Sequence, residues 1–392
     1  MDPVRNPFVP GAGSPPPALA GRADILERAR VTLARVAQGR SAKSLMIVGL
    51  RGVGKTVLLN RVHEMAEAEG YQALMIETPE TKRLASLLVP PLRSLLFRLD
   101  RLENISEQVK RAMRVLKSFA GAVSVKYGEV EIGLDVDPER GTADSGDIEA
   151  DLAELFVVVA EAARSRGTAV AIIIDELQYL TEDELSAVIM ALHRVSQKQL
   201  PLVLIGAGLP QLVGLAGRSK SYAERLFDYP VVGALSRLDA TKALADPVER
   251  EGASFDDDAL AYIIEKTEGY PYFLQEWGYH AWNLASGSPI TLDIVSTATR
   301  EAIANLDQSF FRVRLDRLTP REKAYLRAMA ELGPGPHRSG DIAETMGTAV
   351  ASVAPLRGGL IKKGMIYSPT HGDTAFTVPL FDQFMRRTMP AV

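Results

Sequence analysis

The sequence contains no cysteine, which excludes disulfides, thiol catalysis and thiolate metal sites and fits a reducing compartment. Its five histidines (His63, His193, His280, His337, His371) are scattered, with no pair at metal-ligand spacing. Wholly apolar runs extend only several residues, far short of the ~20 that a membrane helix needs. The opening Met-Asp-Pro-Val-Arg lacks the basic start and apolar core of a signal peptide. Neither sign of charge dominates: the net charge is −4 over 392 residues, so the chain as a whole is no polycation that coats nucleic acid. What remains is 24% charged and 46% hydrophobic, the make-up of a soluble globular protein expected in the cytoplasm, away from membranes. At roughly 100 to 200 residues per domain, its length allows two or three domains.

Residues 1–20 are rich in Pro and Gly and can form neither regular helix nor central strand. They are either disordered or laid as an extended arm on the next domain. From 21 to 235, apolar strands alternate with amphipathic helices. Ser44 to Val48, Ala73 to Glu77, Val170 to Ile174 and Leu202 to Ile205 read as buried strands of a doubly wound parallel α/β domain. Alternation of Val123, Val125 and Tyr127 with Val130, Ile132, Leu134 and Val136 predicts a β-hairpin insertion over 123–136. A helical lid is expected over 236–308. The stretch 309–392 reads as three helices and a hairpin, the pattern of a winged helix-turn-helix. Its first helix opens on the capping box Thr319-Pro320-Arg321-Glu322.

Gly49-Leu50-Arg51-Gly52-Val53-Gly54-Lys55-Thr56 fits the phosphate-binding loop G-x-x-x-x-G-K-[ST], with a strand before it and a helix from Val57 after it. Glycines let the backbone fold tightly, so that N–H groups and the helix start face phosphate oxygens. In this pattern Lys55 reaches the β- and γ-phosphates of ATP and the Thr56 hydroxyl binds Mg²⁺. Val170 to Ile174 followed by Asp175-Glu176 has the form of a Walker B strand. There Asp175 would hold Mg²⁺ through water, and Glu176 would orient or deprotonate the attacking water. The separation of 120 positions from Lys55 to Asp175 is a long interval, which the insertion would explain.

With Pro17 to Arg22 ahead of the first helix, these motifs resemble AAA+ ATPases of the origin-recognition type and the related STAND regulators. The resemblance covers roughly residues 17–300 and extends to the winged helix. It implies ATP or ADP as ligand, a lid over the nucleotide, and possible self-association or a partner protein. It also implies that Gly269-Tyr270-Pro271 is the lid motif whose proline packs on the nucleotide. The alternative for Pro271 is the first turn of a helix. Arg225 stands where the family carries an arginine finger acting on a neighbouring subunit; the alternative is a solvated arginine. Gly21-Arg22 resembles the family's opening motif near the adenine, or is an ordinary loop pair.

Two features depart from the family. Gly206-Ala207-Gly208 replaces the polar sensor after the strand, and Tyr272, not an arginine, follows Pro271. Both imply slow turnover. From 311 onward, twelve basic residues stand against seven acidic ones, a balance of +5 that leaves −9 for the rest. That asymmetry favours duplex DNA as a partner, through Arg357, Lys362 and Lys363. Gly358-Gly359 weaken the presumed recognition helix, and winged helices also bind proteins. His193 reads as a packed helix residue, and Trp277 and Trp282 as lid core. The leading expectation is an ATP-binding, slowly hydrolysing switch coupled to a winged-helix module that binds DNA or a partner. Its alternative is a nucleotide-dependent DNA-binding scaffold with negligible hydrolysis. A small-molecule kinase is disfavoured, because nothing resembles an acceptor site.

Overall fold

The computed structural model describes residues 1–390 except 12, 18, 101–105, 128–135 and 371. The chain forms two compact units. One comprises Asp24–Gly49 and Leu58–Val231; the other gathers Met1–Ala23, Leu50–Val57 and Val232–Val392.

The first unit is built on a parallel sheet. Its strands are β1 (Ser44–Gly49), β2 (Gln72–Glu77), β3 (Val170–Asp175), β4 (Leu202–Gly208) and β5 (Phe227–Asp228), in the order β2-β3-β4-β1-β5. The short β6 (Val231–Val232) lies off this path. Every residue of β1, β3 and β4 is buried, which is why these segments are continuous apolar runs rather than alternating ones. Around the sheet run α1 (Ala23–Ala37), α2 (Lys55–Ala68), α3 (Leu84–Asp100), α4 (Glu107–Tyr127), α5 (Ile148–Ser165), α6 (Glu182–Gln197), α7 (Gln211–Ser219) and α8 (Ala223–Leu226). Leu74, Ile172 and Leu204 of the sheet join Leu88, Leu116, Phe156 and Leu185 of the helices in one apolar core.

The expected hairpin over 123–136 is corrected in its first part. Residues 123–127 continue α4, and the remainder of that segment up to 135 lies outside the described residues. Val109, Ala112, Met113, Leu116, Phe119, Ala120 and Val123 are all buried at spacings of three and four, so the helical period carries through Val123.

In the second unit, the lid comprises α9 (Arg237–Arg250), α10 (Asp257–Thr267), α11 (Pro271–Leu284) and α12 (Leu292–Leu306). The N-terminal arm lies on this lid. Trp282 donates its indole N–H to the Asp2 carbonyl at 2.8 Å, and Phe8 is buried against Phe255. A β-carbon at Gly278 would lie 2.6 Å from the Phe8 ring, so α11 needs glycine where the arm crosses it. Trp277 is lid core, its N–H bonded to the Thr299 hydroxyl at 2.9 Å.

After α13 (Arg312–Asp316) come α14 (Pro320–Glu331), β7 (His337–Arg338), α15 (Ser339–Thr345), α16 (Val350–Lys362), β8 (Ile366–Tyr367), β9 (Asp373–Phe376) and α17 (Phe381–Thr388). β7, β9 and β8 form an antiparallel sheet in that order. Three helices with a strand after the first and a two-stranded wing after the third have the element order of a winged helix. The capping box is formed: Thr319 N–H donates to Glu322 Oε2 at 2.8 Å, and Glu322 N–H to Thr319 Oγ1 at 3.3 Å. α17, unforeseen from the sequence, buries Phe381, Phe384 and Met385. Among the described residues, no helix is long and apolar enough to cross a membrane.

Candidate nucleotide site and the C-terminal basic residues

β1 ends at Gly49, and the chain turns through the loop before α2 begins at Lys55. Gly52 and Gly54 have φ of 81° and 92°, a region that L side chains rarely adopt. Space makes the same demand at Gly52, where a β-carbon would lie 3.1 Å from the Tyr270 ring. Lys55 is 6% exposed, and its ammonium donates to the Leu50 carbonyl at 2.8 Å, so the loop closes on its own lysine.

Within the second unit, to which the loop belongs, other segments brace it at several points. Tyr272 N–H donates to the Gly52 carbonyl at 3.2 Å, and the Tyr270 hydroxyl donates to the Arg51 carbonyl. Arg51 N–H donates to the Thr377 carbonyl at 3.3 Å, and its Nε to the Gly364 carbonyl at 3.3 Å. The buried Arg22 donates to the carbonyls of Val53 and Gly233, at 3.3 and 2.6 Å. Burial lowers the guanidinium pKa, against the opposing pull of Asp239. Here Gly21-Arg22 supports the loop from behind its backbone. Burial pushes the Tyr270 phenol well up, so it remains a proton donor.

Pro271 occupies the first turn of α11. Gly269 before it has φ 67°, and a β-carbon there would strike the Leu235 carbonyl at 2.6 Å. The residues of this segment that touch the loop are its neighbours Tyr270 and Tyr272. Their role was not foreseen in the sequence, where Tyr270 was only the middle of Gly269-Tyr270-Pro271 and Tyr272 only the residue standing in place of an arginine.

At the sheet, β3 and β1 flank β4 in parallel register, so Asp175 and Gly49 lie at the same, C-terminal edge. Asp175 is 3% exposed, and its Oδ1 accepts the Glu176 N–H at 2.8 Å. Glu176 has φ 56°, a left-handed turn that breaks the strand and redirects the chain into the short 3-10 turn Leu177–Tyr179. The Gln178 side chain donates to Glu176 Oε2 and accepts the Leu209 N–H at 3.0 Å. Sequence reading passed over Gln178. The available signal was the tail of small residues on β4. A β-carbon at Gly206 would overlap the Leu177 side chain, and one at Gly208 would meet Gln178 Oε1 at 2.9 Å.

The donors fit the group that the motifs imply. A glycine-formed cradle with a lysine suits phosphates, and the Thr56 hydroxyl and Asp175 carboxylate are the hard oxygen donors that Mg²⁺ prefers. Arg225 stands elsewhere. It lies two residues before Phe227, which pairs with Ser44, so it flanks the start of β1 and not the end at Gly49.

In the C-terminal module, Arg357 donates to Thr374 Oγ1 at 2.9 Å, to Ser368 Oγ at 2.8 Å and to the Asp373 carbonyl at 3.1 Å. Lys363 pairs with Glu322 at 2.8 Å and reaches the Arg317 carbonyl at 3.3 Å. Lys362 is exposed.

A parallel sheet covered by helices, with a glycine-rich loop after β1 and two acids at the end of β3, is the fold seen in P-loop ATPases. Residues 18–205 match the AAA ATPase domain family, and residues 308–385 match a domain of unknown function. Over 353 residues the chain is 22% identical to an uncharacterized HTH-type transcriptional regulator of Methanocaldococcus jannaschii, covering 86% of this chain and 80% of that protein. Among solved structures, it is similar to the Walker-type ATPase of Pyrococcus abyssi, with a TM-score of 0.56 at 16% identity, covering 94% of this chain and 96% of that one. A looser likeness is to the Orc1 protein of Aeropyrum pernix, solved in complex with DNA, with a TM-score of 0.47 at 14% identity, covering 98% of this chain and 96% of that one.

Proposed function

We propose that the chain is an ATP-binding, slowly hydrolysing switch that couples its nucleotide state to the C-terminal winged-helix module. Lys55 and the loop N–H groups from Gly52 to Val57 hold the phosphates. Thr56 and Asp175 hold Mg²⁺, which neutralises phosphate charge when bound. Glu176 orients the attacking water and accepts its proton. Pro271 lies against the nucleotide, and Arg225, placed away from the end of β1, acts on the nucleotide of a neighbouring copy.

The observation that carries the switch is the pair of bonds from Arg51 to Thr377 and Gly364. A loop that must accommodate a triphosphate is bonded through its backbone and side chain to the wing. Hydrogen exchange over 360–378, compared without nucleotide, with ADP and with ATP, tests this. The reading expects protection there to change with the nucleotide; identical exchange in all three states would oppose it.

The second reading, a DNA-binding scaffold with negligible hydrolysis, draws on the missing polar sensor at the end of β4. Multiple-turnover phosphate release separates the two. The +5 balance of the C-terminal module and the HTH-type relative support duplex DNA as partner. Binding should then weaken steeply with salt in fluorescence anisotropy.

A further inference from the structure

We infer that Gln178 is the positioning residue for Glu176, standing in for the polar side chain that β4 lacks. The inference rests on the reading of Glu176 as the water-orienting acid. The Leu209 backbone N–H can only donate, so the amide oxygen of Gln178 must face it, at 3.0 Å. The amide nitrogen is thereby turned toward Glu176 and donates to Oε2. One side chain ties the carboxylate to the end of β4.

The surrounding sequence is shaped for this tie. Gly206 leaves room for Leu177, and Gly208 leaves room for Gln178 itself, so the 3-10 turn closes onto the strand. The left-handed backbone at Glu176 sets the start of that turn. A carboxylate on a rotatable side chain orients water poorly; a donor bond to one oxygen restricts its rotation before the reaction. The Gly-Ala-Gly tail thus relocates the polar group, from β4 to the turn after β3.

Two substitutions test the role in the full chain. Gln178→Ala removes both bonds. Gln178→Glu keeps an oxygen for Leu209 but turns the donor facing Glu176 into a repelling acceptor. Multiple-turnover phosphate release and ATP calorimetry are measured for wild type and both variants. The expected result is a kcat lower by about tenfold or more in both variants, the effect of losing a hydrogen bond to a charged group, with ATP affinity within about twofold of wild type. If Gln178→Ala fails to fold, Gln178→Glu carries the test alone. Wild-type kcat in Gln178→Glu overturns the inference, because a carboxylate cannot supply the donor. Equal loss of ATP affinity and rate also overturns it, as damage to the fold. No phosphate release by the wild type overturns the ATPase reading itself, and this role with it.

Discussion

The end of β3 and the end of α16 both present charged residues that a sequence reader would assign to ligands, yet the structure treats them differently. At β3 the carboxylates of Asp175 and Glu176 are held by a backbone N–H, a left-handed turn and an amide side chain. At α16, Arg357 is bound by three oxygens of the wing, and Lys363 by the carboxylate that caps α14. Charge count alone does not separate these cases. What separates them is whether the neighbouring backbone is shaped around the charge or the charge serves to hold the neighbouring backbone.

Substitutions can break this contrast. The largest effect is expected at the phosphate loop, where Lys55→Ala removes the one ammonium the loop folds around. ATP affinity should fall by about a hundredfold or more in calorimetry, while the thermal unfolding of the protein changes little. In the C-terminal module the order should reverse. Arg357→Ala removes three hydrogen bonds, leaving the Asp373 carbonyl only its bond from the Ser368 hydroxyl, and should cost about 2 kcal/mol of stability. Chemical denaturation followed by a C-terminal probe measures this, and ATP affinity should stay unchanged. The smallest effect belongs to Lys362→Ala. This exposed side chain should leave stability within about 0.5 kcal/mol. If the module binds DNA, the same change should reduce the salt slope of binding by about one. A stability loss at Lys362 equal to that at Arg357 would erase the contrast.

Much of the fold was legible because its demands are local. Gly52 and Gly54 are glycines for backbone conformation, and a strand buried on both faces leaves an unbroken apolar run such as Val170 to Ile174. The capping box at Thr319 was readable for the same reason. The rest depends on partners distant in sequence. Tyr270 and Tyr272 meet a loop more than 200 residues earlier. The internal bonds of Arg357 follow from the wing folding back on α16. Val123, Val125 and Tyr127 fit a period of two locally, but the buried face that begins at Val109 shows a period near 3.6. Gln178 was hidden because the family pattern directed attention to the end of β4, where Gly206, Ala207 and Gly208 stand.

The proposed hydrolysis depends on Glu176. Phosphate release under multiple turnover, with saturating ATP and Mg²⁺, compares the wild type with Glu176→Gln. The amide keeps shape and hydrogen bonding but cannot accept the proton of water. The wild type should release several equivalents of phosphate per chain, and the variant should be slower by about a hundredfold while still binding ATP. Equal rates in the two proteins would contradict the claim that the acid after β3 activates water.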